Sequence, residues 1–277
     1  MSGRYTLKWL CEALLVSRSG YYDWLRRRRK PGPRAREEAV LRLRIREEFI
    51  RSRQTYGSPR LTRELGGLAG RHRVAPLMRS EHLRARQRSK YRPATTDSRH
   101  KLPIAPNRLL GLKPPVQANQ VWVTDATCVL TGEGWLYIVG VLDVYSRTIV
   151  GWAMSERLNA ELVIRALQMG IDRRKPEPGL IVHSDRGSQF AGSEYRQKLA
   201  RHQFLASMSR KANCYDNAFI ESFWSTLKYE LVYHHRFPSR ATAQAALFDY
   251  IETFYNRTRL HSSLGYVSPL TYESKLS

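Results

Sequence analysis

Three acidic residues lie in settings that suit metal-assisted chemistry. Asp125 in WVTDATC and Asp185 in IVHSDRGSQF end apolar, strand-like runs, whereas Glu221 in NAFIESFWSTLK lies on a helix-like run, with 35 residues between it and Asp185. Hard cations such as Mg²⁺ prefer oxygen ligands, so a few converging carboxylates can hold them against substrate phosphates. Two such ions about 3.5–4 Å apart can clamp the attacking and leaving oxygens of a phosphoryl displacement. The pattern therefore predicts nuclease or polynucleotidyl-transferase chemistry.

The chain is strongly basic. It holds 47 Lys and Arg against 24 Asp and Glu, a formal net charge of +23, which indicates a polyanionic partner. Residues 1–110 hold 28 basic and 9 acidic residues (net +19), and residues 111–277 hold 19 basic and 15 acidic residues (net +4). An excess sustained over 110 residues favours DNA or RNA over the alternative of solvated helix faces. An anionic membrane fits less well, because the basic residues do not form one amphipathic helix with a bulky apolar face.

Length and composition further narrow the class of protein. A chain of 277 residues with 42% hydrophobic content can bury a full core and carry smaller modules. No apolar stretch approaches the roughly 20 residues that cross a bilayer, and the N-terminus has no clean secretion signal. The cysteines at 11, 128 and 214 form no CxxC pair, which argues against a zinc module and for a reducing compartment. We therefore expect a cytoplasmic protein with no membrane partner.

The sequence predicts four parts: an N-terminal helical segment (1–30), a helix-turn-helix-like DNA-binding module (31–90), a basic linker (91–117) and a catalytic core with a C-terminal helical extension (118–277). In the module, helical spacing at 35–52, a Ser-Pro helix start at 58–59 and a third helix at 74–83 predict three short helices. In a helix-turn-helix the last helix enters a major groove. A trihelical bundle that only packs or dimerises has the same apolar pattern. The candidate DNA contacts in this region are Arg71, Arg73, Arg79, Arg84, Arg86 and Arg88.

From Val121 the pattern changes from helical to extended. VWVTDATCVL, GWLYIVGVLDVYS and TIVGWAM are β-branched and aromatic runs separated by turn sequences, which is typical of an antiparallel meander. Helix-like and strand-like segments then alternate in the order 159–173, 180–185, 193–202, 204–208 and 218–231. The order βββαβαβα predicts an α/β fold, a mixed five-stranded sheet with flanking helices, preceded by the small all-α module. Asp125 and Asp185 can then lie side by side in the sheet, with Glu221 reaching across from the last helix.

A family resemblance covers nearly the whole chain. VWVTDAT, LDVYSR, VGWAM, HSDRGSQF, NCYDNAFIESFWSTLKYE and YNRTRLHSSLGYVSP, with the upstream SRSGYYDWLRR, YGSPRL and TTDSRHKLPIAPN, resemble bacterial insertion-sequence transposases of the group with a DDE, retroviral-integrase-like core. The resemblance implies a ribonuclease-H-like fold. It also implies that Asp125, Asp185 and Glu221 are the catalytic triad and metal ligands, with two ions of Mg²⁺ or Mn²⁺ as cofactor. No zinc-binding module of the retroviral kind is carried over, because the chain has no paired His/Cys cluster.

The same resemblance implies the substrate and partners. We expect double-stranded DNA to be bound at the element's terminal inverted repeats and at the target. Cleavage at the transposon end would free a 3′-OH, which would then attack another phosphodiester. A homo-oligomer on DNA, a nucleoid location and a fusion with an upstream transposase product are also expected. Two alternatives stay open: a non-catalytic DNA-binding regulator of transposition, and a ribonuclease-H-like nuclease that cuts without joining.

Four further residues are candidate DNA contacts. Lys228 falls two helical turns after Glu221, on the same helix face, where a cation can meet a phosphate. Arg186 follows the second acid in a tight loop and Asn217 precedes the last helix, and turn formation or helix capping explains them equally well. Arg259 belongs to a basic C-terminal stretch that either holds DNA or closes the fold.

Two nearby residues are expected to have structural roles. Asp143, at the end of the second strand-like run, is interpreted as a turn acid, although a place beside the metal ions is an alternative. His183 precedes the second acid by two positions and so points to the same side of the strand. We expect it to be a buried, hydrogen-bonded histidine, because carboxylate sites for phosphoryl transfer do not require imidazole.

Overall fold

The structure, a computed structural model, describes residues 6–29, 32–86, 102–210 and 217–275. The chain forms two units that divide after Ala85. Arg88, one of the candidate DNA contacts, lies outside the described residues. Within the four described ranges, no helix is long and apolar enough to cross a membrane.

The first unit consists of helices. They are α1 (Leu7–Ala13), α2 (Arg18–Arg29), α3 (Pro33–Arg51), α4 (Ser58–Glu64) and α5 (Arg71–Ser80). The single N-terminal helical segment that the sequence predicts is broken between α1 and α2, where Leu15 has a positive φ of 55°. The Ser17 side chain accepts a hydrogen bond from the Gly20 N–H at 3.0 Å and so helps to begin α2.

Helices α3, α4 and α5 share a small apolar core. Its buried residues include Leu41, Ile45, Phe49, Leu61, Val74 and Leu77. Glycines 66 and 67 have positive φ values of 58° and 92°, which lets the chain turn between α4 and α5 at little steric cost. The predicted three helices are confirmed, but the third begins at Arg71 rather than Val74. The N-cap of α4 is Gly57, one residue before the predicted Ser58.

The second unit is built on one mixed sheet. Its strands are β1 (Val121–Thr131), β2 (Gly134–Asp143), β3 (Ile149–Ser155), β4 (Ile181–Ser184) and β5 (Leu205–Met208). They lie in the order β3-β2-β1-β4-β5. The pairs β1–β2 and β2–β3 are antiparallel, whereas β4 pairs in parallel with both β1 and β5. The predicted five-stranded mixed sheet is thus confirmed.

Helices cover both faces of the sheet. They are α6 (Ala160–Arg174), α7 (Ser188–Ala191), α8 (Ser193–Arg201), α9 (Ala218–Glu230), α10 (Arg240–Phe248) and α11 (Pro269–Ser274). On one face, Trp122 and Val182 belong to an apolar cluster with residues of α6, α7 and α8. The close approach of α6 to β3 requires glycine at 151, because a Cβ there would lie 2.2 Å from the Ala166 carbonyl oxygen. On the other face, α9 packs against β1 and β2.

The C-terminal region closes the sheet. Helix α10 continues into a π-helical segment, Asp249–Tyr255. The next residue, Asn256, is buried, and its side-chain amide accepts from the Ile149 N–H at 2.9 Å and donates to the Ile149 carbonyl at 3.0 Å. Because β3 is an edge strand, this amide satisfies backbone groups that another strand would otherwise take. Of the two open alternatives for this stretch, Asn256 therefore supports closure of the fold.

Candidate active site

Asp125 lies on β1, and Asp185 directly follows the neighbouring parallel strand β4. The pairing of β1 with β4 places Val123 opposite His183, and two residues further along each strand come Asp125 and Asp185. Neighbouring strands are about 4.8 Å apart. Strand β4 ends at Ser184, so Asp185 begins the following loop, where its Oδ1 accepts a hydrogen bond from the Gly187 N–H at 2.9 Å. The expectation that these two acids lie side by side is confirmed.

Glu221 comes from the opposite direction, in the first turn of α9. Burial, and after it the negative charge of Asp185, raises the pKa of Asp125 well above its ordinary value, and the charge of Glu221 adds to the effect. Glu221 is more exposed, but its partial burial and the charge of Asp185 raise its pKa as well. Each acid therefore lies within electrostatic range of the other two, and crowded carboxylates of this kind disfavour one another's ionised form.

The set offers only oxygen ligands. Three carboxylates are the donors that Mg²⁺ and Mn²⁺ prefer, and their mutual repulsion is what a divalent cation would offset. In the part of the chain that the structure describes, however, no three His, Cys, Asp or Glu side chains are close enough together to form a ligand cluster. The donor chemistry thus fits a hard divalent ion, whereas a coordinating arrangement would need the acids to draw closer.

Lys228 lies seven residues after Glu221 on α9. Residues at this separation share a helix face. Partial burial lowers the pKa of Lys228, and the nearby Cys128 and Asp125 act in the opposite direction. A cation is therefore within electrostatic range of the first acid.

Asp143 and His183 have structural partners. The Asp143 carboxylate is fully buried and accepts hydrogen bonds from the N–H groups of Asn119, Trp122 (Nε1), Tyr145 and Ser146 at 2.6–3.2 Å. Burial raises its pKa, and the backbone donors counteract this effect. His183 is fully buried, with Nδ1 2.8 Å from the Ser207 hydroxyl. The expectations of a turn acid and of a buried, hydrogen-bonded histidine are confirmed.

Three candidate DNA contacts are engaged or enclosed by the protein. The Arg186 Nε donates to the Ser209 carbonyl at 2.7 Å, which ties the loop after β4 to the end of β5. Asn217 is 4% exposed and takes the N-cap position of α9, but its side chain makes no capping hydrogen bond. Arg259 is 5% exposed and paired with Glu230, so its guanidinium faces the protein interior. Of the two alternatives for Arg259, this burial and pairing support closure of the fold.

The arginines of the first unit are placed differently. Arg71, Arg73 and Arg79 are exposed on α5, and Arg84 is exposed just after it. None of these four forms an ion pair with another described residue, whereas Arg42 and Arg46 on α3 are paired with Glu81. Arg86, in the second unit, donates a hydrogen bond to the Glu230 carbonyl oxygen.

The sequence interpretation missed Trp224 and Gly140. Trp224 is 4% exposed on α9, three residues after Glu221, and its indole N–H counteracts the raised pKa of Asp125. Gly140 stands opposite Asp125 in the pairing of β1 with β2. The helical spacing from Glu221 was available in the sequence as a signal for Trp224. The register that brings Gly140 beside Asp125 was not, because it depends on strand pairing.

Comparison with known proteins gives matches along most of the chain. Two family profiles, each described as "Integrase core domain", match residues 115–214 and 202–269, and a third, "HTH-like domain", matches residues 35–91. The IS600 uncharacterized 31 kDa protein of Shigella sonnei is 48% identical over 269 residues, which cover 96% of this chain and 98% of that protein. The transposase InsF for insertion sequence IS3A of Escherichia coli (strain K12) is 41% identical over 274 residues, which cover 98% and 95%.

A solved structure shows a more distant likeness. It is the simian T-cell lymphotropic virus intasome in complex with the PP2A regulatory subunit B56 gamma, with a TM-score of 0.48 and 16% identity, covering 79% of this chain and 70% of that one. The assignment of this chain to a family rests instead on the two relatives above, because each matches it over nearly the full length of both chains. The chain belongs to the family of IS3-type insertion-sequence transposases, with an HTH-like domain followed by an integrase core domain.

Proposed function

We propose that the protein is a DDE polynucleotidyl transferase that cuts DNA at the ends of an insertion sequence and joins the freed strand to target DNA. The observation that carries the proposal is the grouping of Asp125, Asp185 and Glu221, brought from two neighbouring strands and one helix into electrostatic range of one another. These acids occur in a chain of the transposase family, and a relative of 41% identity is named as the transposase for insertion sequence IS3A.

The same three carboxylates would hold the cofactor. Mg²⁺ or Mn²⁺, as two ions, would neutralise charge at the reacting phosphate and activate the attacking hydroxyl when bound. Burial first, and the charge of Asp185 after it, raises the pKa values of Asp125 and Glu221. The second effect supports this assignment, because crowded carboxylates favour a cation among them. The pairing of β1 with β4 positions Asp125 and Asp185, whereas the packing of α9 positions Glu221. A movement of Glu221 toward the other two acids would therefore complete the metal site.

Basic residues would hold the DNA. Lys228, on the Glu221 face of α9, is suited to a phosphate next to the scissile one. The exposed Arg71, Arg73 and Arg79 of α5, with Arg84, are suited to the backbone of a terminal repeat, since phosphate contacts position a protein on a duplex. The substrate would be double-stranded DNA, both terminal inverted repeat and target, in the bacterial cytoplasm. A homo-oligomer would form on DNA, with an upstream transposase product as a fusion partner.

The test is a cleavage and joining assay. Purified protein is incubated with a labelled duplex that carries the element's own terminal repeat, with Mg²⁺, Mn²⁺ or EDTA, and both cut and joined strands are scored. We expect both products with either metal, no product in EDTA, and no product from the Asp125→Ala or Glu221→Gln variant, while DNA affinity stays largely intact.

The matched control is Glu194→Gln. Glu194 lies in the first turn of α8, as Glu221 lies in the first turn of α9, and both are exposed. The control should cut and join at the wild-type rate. Cleavage that survives Asp125→Ala would overturn the assignment of the triad, and cut strands that are never joined would identify a nuclease instead. Binding without cutting, with the upstream product attached as well as without it, would identify a regulator.

A further inference from the structure

Gly140 of β2 has no side chain and so leaves a gap on the face of the sheet beside Asp125. Gly140 stands directly opposite Asp125 in the antiparallel pairing of β1 with β2. A Cβ at this position would lie 3.0 Å from both Cη2 and Cζ2 of Trp224, closer than such contacts normally come. The Trp224 ring therefore occupies the place of the missing side chain, next to the first acid.

Trp224 connects the helix that carries Glu221 to the strands of the sheet. It is 4% exposed and lies three residues after Glu221, on the same side of α9. The Cδ1 of Ile220 approaches the same gap, 3.7 Å from the position of a Cβ on Gly140, and the Phe223 ring packs 4.7 Å from the Trp224 ring. The contact of the Trp224 ring with Gly140 thus joins the helix that carries Glu221 to the strand beside Asp125.

The indole N–H of Trp224 needs an acceptor. Its Nε1 is buried and has no hydrogen-bond partner of normal geometry among the described residues. Buried polar groups in proteins are rarely left without one. The Cζ2 atom that lies against Gly140 is two bonds from Nε1, and Gly140 stands opposite Asp125. The N–H is therefore near that carboxylate but makes no well-formed hydrogen bond with it. A donor is therefore held beside the first acid, and a small movement of either group would complete the bond.

We propose that Trp224 is a positioning residue for the acidic site. Its ring fixes the Glu221 helix against Gly140, and its N–H orients the Asp125 carboxylate when a divalent ion binds. The inference rests on the proposed function and extends it to a residue that contacts an acid rather than the DNA. A tryptophan that only fills the core would pack in the same way, but its N–H would have no consequence for metal binding.

The experiment compares Trp224→Phe with the wild-type chain, because phenylalanine keeps an aromatic ring and removes only the N–H and part of the ring. Mn²⁺ is titrated in the absence of DNA, and the half-saturating concentration is read from the metal-induced rise in melting temperature. Loss of a group that orients a metal ligand typically weakens metal binding 10–100-fold. We expect the half-saturating Mn²⁺ concentration to rise by about tenfold, with a matching rise in the Mn²⁺ requirement for cleavage.

Trp152→Phe is the matched control. Trp152 of β3 stands opposite Gly140 on the other side of β2, but its Nε1 donates to Glu252 at 2.7 Å. This variant therefore also loses one indole hydrogen-bond donor, but one that serves Glu252 rather than an acid of the site. Its Mn²⁺ titration should equal that of the wild type. Gly140→Ala provides a second variant, since its methyl group would press on the Trp224 ring, and we expect it to weaken Mn²⁺ binding in the same direction.

The outcomes separate this inference from the proposed function. If Asp125→Asn abolishes the response to Mn²⁺ but Trp224→Phe titrates like the wild type, the acidic site stands and the role of Trp224 is overturned. A lower melting temperature of Trp224→Phe without metal, combined with an unchanged half-saturating concentration, would likewise make it a core residue only. A wild-type chain that neither responds to Mn²⁺ nor cleaves DNA would refute the proposed function and this inference together.

Discussion

Replacing Arg259 by methionine should destabilise the second unit without removing a DNA contact. The Arg259 Nε and Nη2 each donate to a different oxygen of Glu230 at 2.8 Å, and the Tyr250 hydroxyl donates to one of the same oxygens at 2.7 Å. Arg259 and Glu230 are 5% and 8% exposed. Burial alone would lower the pKa of Arg259, but the facing Glu230 carboxylate outweighs it and raises the pKa above its ordinary value.

The magnitude follows from what the variant leaves behind. Methionine fills much of the arginine volume but cannot donate a hydrogen bond. Among the described residues, Glu230 then keeps only the Tyr250 hydroxyl as a side-chain donor. Breaking a buried ion pair from one side typically costs about 3–5 kcal/mol, because the remaining charge is buried without compensation. In a domain of 150–250 residues each kcal/mol lowers the melting temperature by about 2–4 °C, so we expect a fall of roughly 6–20 °C.

The assay is thermal unfolding followed by circular dichroism, with DNA affinity measured at a temperature where every variant is folded. Arg173→Met is the control, since the Arg173 side chain is 41% exposed and its pair with Glu252 lies at the surface. An exposed pair of this kind contributes about 0–1 kcal/mol. The double variant Arg259→Met with Glu230→Met should recover much of the lost stability, because replacing both buried charges by apolar groups is often close to neutral.

One result would refute this reasoning. If Arg259→Met melts like the wild type and instead binds the terminal-repeat duplex more weakly, with a smaller dependence on salt, the guanidinium reaches DNA in solution. The structural role that we assign to Arg259 would then be wrong.

Two other predictions concern Asp143 and the arginines of α5. Asp143→Asn should lower the free energy of unfolding by about 1–3 kcal/mol, because the amide NH₂ would face either the donors of Asn119 and Trp122 or those of Tyr145 and Ser146. Metal-dependent cleavage should nevertheless persist at low temperature, and its complete loss in folded protein would make Asp143 part of the acidic site. Arg71→Ala and Arg73→Ala should each weaken binding to all DNA duplexes alike, with no change in melting temperature. Each should also reduce the slope of log affinity against log salt concentration by about 1. An unchanged slope would show that α5 does not contact the DNA backbone.

Much of the second unit could be predicted from the sequence because its signals are local. The runs around Asp125 and Tyr137 are rich in β-branched and aromatic residues and are joined by a short glycine turn, which specifies an antiparallel pair. The helical period around Glu221 is equally clear. Once the strands are recognised, two acids at the ends of apolar runs fall near each other whenever those strands pair side by side.

The partners of buried polar groups could not be predicted in this way. Arg259 lies 29 residues from Glu230, and Asn256 lies 107 residues from Ile149, so neither contact leaves a local pattern. In a chain with a net charge of +23, an arginine near the C-terminus reads most simply as another exposed cation. Only the packing of the helices that follow α9 shows that Arg259 is neutralised by Glu230 in the interior.

Helix α9 links the two structural inferences to the candidate chemistry. It carries Glu221 in its first turn, Trp224 in the next and Glu230 as its last residue, over 13 residues or roughly 20 Å of helix. Ile220, which packs at the gap above Gly140, lies beside the acid, whereas the buried ion pair anchors the far end. Substitutions at the two ends of α9 should therefore have different effects. Arg259→Met should lower the melting temperature and leave the half-saturating Mn²⁺ concentration unchanged. Trp224→Phe should raise that concentration, with only the smaller fall in melting temperature that follows from trimming a buried ring. The third acid would then be positioned by the ring beside it, and the ion pair would contribute only to the stability of the fold.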